Sequence, residues 1–282
     1  MNGKLIVFAG LAVLSTGAFA VHPKDQAVEW KKLADETFAA HREEADRTRR
    51  LELLGKSAEW LEKIVYMEGC ADEALRVEAT ERASERFRLV GEPERALKVL
   101  VRTLTTGAKL SPDCRLRLLM SRAALEEALG YAKEAEKAYA EALTIDTRDM
   151  TQVARARNRI ATILTEVKGR HAEALKALEY RLEDPLTQQS LHPHVLAERA
   201  YVAGCALRGL KRYAESKTRL EESIKLFGPG RWAARSELVV ARVCFDQKDR
   251  KGAMAALDRA VAAEPGYRQQ AEHLRQGMEV AK

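Results

Sequence analysis

A small residue recurs along this chain at nearly constant spacing. Ala58, Ala96, Ala135, Ala174, Ser216 and Ala253 stand 38, 39, 39, 42 and 37 residues apart. Self-similarity at such a period marks an array of stacked supersecondary units rather than a single closed core. A large side chain often follows the small one about four positions later, as Leu100, Tyr139, Leu178, Leu220 and Leu257. Glycine precedes most of the small residues by a few positions: Gly55, Gly91, Gly130, Gly169 and Gly209, with Lys248-Asp249 in the sixth unit. The spacing has a physical reading. A small side chain lets a second helix press against a first, the large residue one turn on fills the space left, and glycine takes the backbone angles of a tight turn.

The stretch from Leu125 to Asp146 shows one unit complete. Leu125, Ala128 and Leu129 lie on one apolar face, Gly130 interrupts, and Ala135, Ala138, Tyr139, Ala142 and Leu143 form a second face at helical spacing. Apolar residues make up 46% and charged residues 32%, and alanine, leucine, arginine, glutamate and lysine dominate. These side chains lose little rotamer freedom in a helix. The expected fold class is all-α, a right-handed α-solenoid of about six antiparallel helix pairs with a C-terminal capping helix. The units are expected at 26–70, 71–112, 113–150, 151–192, 193–229 and 230–267, with the cap at 268–282. A long charged helix is predicted from Gln26 to Leu54. Pro112, Pro185, Pro229 and Pro265 are expected to close units. Leu186–His194 reads as the longest loop and Gly228-Pro229-Gly230 as a clear break.

With these residues in view, the chain resembles the tetratricopeptide repeat (TPR) family. Trp30, Leu33 and Ala34 look like that family's opening residues. Ala135, Tyr139 and Ala142 match its second-helix anchors. Ala203, Gly204 and Leu207 resemble first-helix anchors, and Ala253, Leu257, Ala260 and Pro265 fit the last unit. The period is the departure, near 39 residues where the family uses about 34. The resemblance implies a helical-hairpin array whose first helices line a concave groove for protein or peptide segments.

The first twenty residues differ from the rest. Lys4 precedes an apolar run from Leu5 to Leu14, and Ala18-Phe19-Ala20 fits a leader cleavage pattern. Residues 1–20 are expected to be a signal peptide, and the protein to be exported, periplasmic or secreted, after cleavage near Ala20. Nothing later approaches the roughly 18 apolar residues of a membrane span. Four cysteines occur, Cys70, Cys114, Cys205 and Cys244, without a C-x-x-C pattern. Cys205 and Cys244 occupy equivalent places in neighbouring units and are expected to be buried thiols. Cys70 and Cys114 are candidates for a disulfide on compartment alone.

Phosphate loops, nucleophile elbows and zinc-protease motifs are absent from the sequence. Neither a cofactor nor a metal is expected: His192 and His194 flank Pro193, too few ligands for a zinc site. The formal net charge of +6 permits an acidic partner without demanding one. Nucleic acid would need a basic stripe with stacking aromatics, and the tryptophans Trp30, Trp60 and Trp232 sit at packing positions instead. Arginines crowd the first helices. Arg159, Arg199 and Arg235 are the candidate groove contacts, since arginine grips a carboxylate through paired hydrogen bonds. The function expected is a non-catalytic surface for a protein or peptide, as adaptor or scaffold in the cell envelope. Two alternatives stay open: a structural spacer or oligomerisation module, and an α-helical enzyme with a carboxylate-lined cleft.

Overall fold

The computed structural model describes residues 22–68, 72–106, 110–147, 149–166, 170–179 and 191–280. Thirteen α-helices lie among them: α1 (Pro23–Glu43), α2 (Arg47–Tyr66), α3 (Glu73–Leu89), α4 (Pro93–Thr105), α5 (Pro112–Ala128), α6 (Ala132–Ala142), α7 (Met150–Glu166), α8 (His171–Leu178), α9 (Pro193–Gly209), α10 (Tyr213–Phe227), α11 (Arg231–Asp246), α12 (Arg250–Ala263) and α13 (Arg268–Val280). A short 3-10 turn, Pro265–Tyr267, leads into α13. Among the described residues there is no β-strand.

The helices pack as six successive pairs, α1 with α2 through α11 with α12, and each pair also leans on the next. The apolar side chains accordingly form a row of adjoining clusters along the array rather than one centre. No hairpin covers its own apolar face; stacking does. All six recurring small residues, Ala58, Ala96, Ala135, Ala174, Ser216 and Ala253, have no exposed surface. Leu100, Tyr139, Leu220 and Leu257 fill the space beside them and are buried in turn.

A close crossing of α9 and α10 explains why the fifth unit carries serine. Ser216 Oγ on α10 donates to the Gly204 carbonyl on α9 at 2.7 Å. A Cβ on Gly204 would lie 2.6 Å from Leu220 Cγ, so only glycine lets these helices approach. The hydroxyl then satisfies itself on the backbone it is pressed against.

Four turns between first and second helices share one conformation. Gly91, Gly130, Lys211 and Lys248 each have positive φ, at 84°, 82°, 60° and 65°. Each stands five residues before its buried small residue. The next N–H reaches back across the helix end: Glu92 to Phe87 O at 2.8 Å, Tyr131 to Glu126 O at 2.7 Å, Arg212 to Leu207 O at 2.9 Å and Asp249 to Cys244 O at 2.9 Å. This is the left-handed termination that satisfies the last carbonyls of a helix.

Several expectations are corrected here. Gly209 ends α9, with His171 of α8 packed against its Cα, and Lys211 makes the turn instead. Gly55 lies inside α2, not at a turn, and no helix runs from Gln26 to Leu54. The break falls at 44–46, where the Asp46 carboxylate accepts from Arg49 N–H at 2.8 Å and caps α2. Pro112 opens α5 at its first turn rather than closing the unit before it, where its missing N–H costs nothing. His192 and Pro193 are not loop. His192 Nδ1 accepts the His194 N–H at 3.3 Å and caps α9, as His22 caps α1 ahead of Pro23. Gly169, Pro185 and residues 186–190 lie outside the described residues, as do the leader and Cys70. Cys114, Cys205 and Cys244 carry free thiols. The cap α13 turns Ala271 and Met278 inward.

Candidate functional site

The first helices α1, α3, α5, α7, α9 and α11 lie side by side on one surface, and ion pairs bridge every neighbouring couple. Asp35 on α1 accepts from Arg82 on α3 at 2.6 Å. Glu81 on α3 accepts from Arg117 on α5 at 2.9 Å. Glu127 on α5 accepts from both Nε and Nη2 of Arg159 on α7. Arg159 also lies 3.5 Å from Glu198 on α9, and Arg208 on α9 donates to Asp246 on α11 at 2.7 Å. Exposed pairs of this kind are worth only about 0.2–1 kcal/mol each. Their consequence is positional: they hold the register of one first helix on the next.

Arg159, a candidate groove contact, is therefore engaged within the chain. Burial pushes its guanidinium down, but the charge and hydrogen bonds of Glu127, with Tyr139 and Glu198 nearby, together outweigh that and hold it up. The Tyr139 hydroxyl donates to Glu127 at 3.4 Å, and burial with that carboxylate beside it pushes the phenol up to about 12. Arg199 sits half-buried on α9 and has an interaction of its own. Glu126 and Glu237, which as first-helix glutamates are expected to be solvated, are buried. Glu126 accepts from Arg122 at 2.8 Å, and Glu237 takes both Nε and Nη2 of Arg259 at 2.8 and 2.9 Å. Burying a carboxylate is costly unless such a partner meets it.

Arg235 has a different environment. Its guanidinium carbon lies 4.5 Å from the ring centre of Trp232 and 5.3 Å from that of Tyr201. Among the described residues it makes no ion pair. Trp232 stacks on Phe227 at 5.1 Å with ring planes 8° apart, and Phe227 meets His194, which stacks on His192 at 5.0 Å. Five rings and one guanidinium thus run from the face of α9 and α11 to the edge of the array. The individual residues are visible in the sequence, but their convergence is not, because it depends on α9, α10 and α11 meeting at one corner.

A second polar knot sits in the first unit. Ser57 Oγ donates to the Ala34 carbonyl at 2.5 Å and accepts from Arg86, whose guanidinium lies 4.2 Å from the Phe38 ring centre. Burial pushes Arg86 down to about 10. It ties α1, α2 and α3 together without a carboxylate in hydrogen-bond contact. Among the described residues, no three histidine, cysteine, aspartate or glutamate side chains group as metal ligands do, and no helix is long and apolar enough to cross a membrane.

No family model matches the sequence, and no curated protein matches it. Solved structures do match in fold. The APC/C hetero-tetramer Cut9-Hcn1 contains a chain 15% identical, with TM-score 0.58 over 93% of this chain and 49% of that one. A Rap protein complexed with competence and sporulation factor is 15% identical, with TM-score 0.55 over 88% of this chain and 78% of that one. YrrB, described as a TPR protein with an unusual peptide-binding site, is 18% identical, with TM-score 0.52 over 78% and 99%. Identities this low speak to fold alone. Together with the six stacked pairs and their buried small residues, they make this chain a tetratricopeptide-like helical-hairpin solenoid.

Proposed function

We propose that this protein is an exported, non-catalytic scaffold whose first-helix surface holds an acidic protein or peptide segment, with Arg159, Arg199 and Arg235 marking that surface. The observation that carries it is the half-buried arginine of α11, Arg235, stacked on aromatic rings with no ion pair among the described residues. Its fold neighbours add support, since YrrB is described as having a peptide-binding site and the Rap protein as complexed with a factor. The surface is already tied together by ion pairs between its helices, so little ordering cost falls on the scaffold. Glu127 and Glu198 on it are both engaged by Arg159. Carboxylates so engaged offer neither a free acid nor a free base, which favours binding over catalysis. The leader-like Leu5–Leu14 run and Ala18-Phe19-Ala20 support export.

Two measurements test this. N-terminal sequencing of the protein expressed with its first twenty residues should begin at Val21 in an exported fraction; a protein retained inside with Met1 intact refutes export. Residues 21–282 used as bait on an envelope extract should retain one recurrent partner, which the Arg199→Glu and Arg235→Glu variants release. Retention of that partner by both variants refutes the arginine surface.

A further inference from the structure

We infer that the surface of α9 and α11 receives an extended acidic segment through two carboxylates about 10 Å apart, one on Arg235 and one on Arg242. This rests on the scaffold reading above and gives it a location and a partner chemistry.

Two arginines of α11 stand outside the ion-pair ladder. On α3, α5, α7 and α9, the arginines Arg82, Arg117, Arg159 and Arg208 each find a carboxylate on a neighbouring first helix. Arg235 and Arg242 are half-buried and, among the described residues, make no ion pair. Arg208, Arg235 and Arg242 all act on the Cys205 thiol, so the three guanidinium groups share one neighbourhood. The nearby carboxylate Asp246 is already held by Arg208. Burial dominates at Cys205 and pushes it up to about 11, so it supplies no compensating negative charge at neutral pH. Positive charge is left over at this place.

Geometry gives the charge a shape. Trp232 and Tyr201 lie 4.5 and 5.3 Å from the Arg235 guanidinium carbon, and of the five N–H donors a guanidinium carries, contact with the one Tyr201 hydroxyl leaves enough for a carboxylate fork. Arg242 lies seven residues on, within about 20° around the helix and roughly 10.5 Å along it. Residues i and i+3 of a polyproline-II segment share a face and lie about 9.3 Å apart. The matching partner is therefore an extended segment with acidic residues at i and i+3. The ring series through Phe227 to His194 offers a fixed, partly apolar surface beside them, of the aromatic and arginine type that dominates binding energy at interfaces.

The test is a random dodecapeptide display library panned on residues 21–282 at low salt. Selected peptides are then synthesised and titrated by fluorescence anisotropy. Expected are peptides enriched in Asp or Glu pairs at i and i+3, with affinity falling as salt rises. Arg235→Glu and Arg242→Glu should each weaken binding at least tenfold. Arg235→Lys should weaken it less, because the charge stays and the fork is lost. An unchanged helical circular-dichroism spectrum for Arg235→Lys keeps the comparison independent of misfolding. Acidic peptides that are insensitive to Arg235 and Arg242 but released by Arg155→Glu or Arg199→Glu overturn this assignment and leave the scaffold reading standing. Peptides without acidic enrichment also overturn it. A library that yields no binder removes both.

Discussion

Replacing Lys211 and Lys248 by glycine should stabilise the solenoid. Both lysines hold the left-handed backbone that Gly91 and Gly130 hold in equivalent turns, with φ of 60° and 65° against 84° and 82°. Holding a residue with a Cβ in that region costs about 1–2 kcal/mol. Glycine returns part of this, about 0.5–1 kcal/mol, through its larger freedom in the unfolded chain. The net gain is roughly 0.5–1 kcal/mol per turn. Among the described residues neither lysine side chain makes an ion pair or hydrogen bond that would be lost. The two turns belong to different units, so the double variant should gain roughly the sum, about 1–2 kcal/mol. Urea denaturation followed at 222 nm reads this as a higher midpoint at unchanged slope. Gly91→Ala and Gly130→Ala supply the mirror experiment and should each lose about 1 kcal/mol. If both lysine-to-glycine variants leave the midpoint unchanged or lower it, the turn conformation is not what limits these helix ends and the reasoning fails.

Other perturbations follow from the same structure. Gly204→Ala forces a Cβ to 2.6 Å from Leu220 Cγ and 3.3 Å from the Ser216 carbonyl, so it should lose about 1–2 kcal/mol despite alanine's better helix propensity; a gain in the urea midpoint would show the crossing is loose. Ser57→Ala strands the buried Arg86 guanidinium and should cost about 1.5–3 kcal/mol, while adding Arg86→Met should recover part of it in a double-mutant cycle. Full additivity of the two would mean that they do not interact. Cys205 is held up at about 11, whereas the thiol of the unfolded chain ionises near 9.0. The unfolded state thus loses its proton first, and stability that is present below pH 9 falls as pH rises, by about 1 kcal/mol at pH 10. Cys205→Ala should lack that slope between pH 8 and 10, and an unchanged slope would assign it to other groups. Iodoacetamide at pH 8 should modify the half-exposed Cys114 well before the buried Cys244, and equal labelling of the two in the native protein would contradict that burial.

The array itself was legible in the residues because its cause is local and repeated. A side chain small enough for two helices to touch must recur once per hairpin, and the six positions read from spacing alone are those with no exposed surface. The Gly228-Pro229-Gly230 break was legible for the same reason: backbone freedom acts within a few residues. The first hairpin turn was misplaced at Gly55 because a glycine can also sit inside a helix, and the Asp46 cap carried the better signal.

What a groove arginine touches was not legible. Arg82 pairs with a residue 47 positions away, Arg117 with one 36 away, Arg159 with one 32 away and Arg208 with one 38 away. Those partners are chosen by how far each unit is rotated on the last, and sequence spacing does not contain that angle. Composition and periodicity therefore determined that this chain stacks helix pairs. Only the stacked structure decided that Arg159 is held by Glu127 while Arg235 rests on Trp232 and Tyr201. The first is a property of each hairpin; the second exists only between hairpins, where long side chains from separate units come within reach.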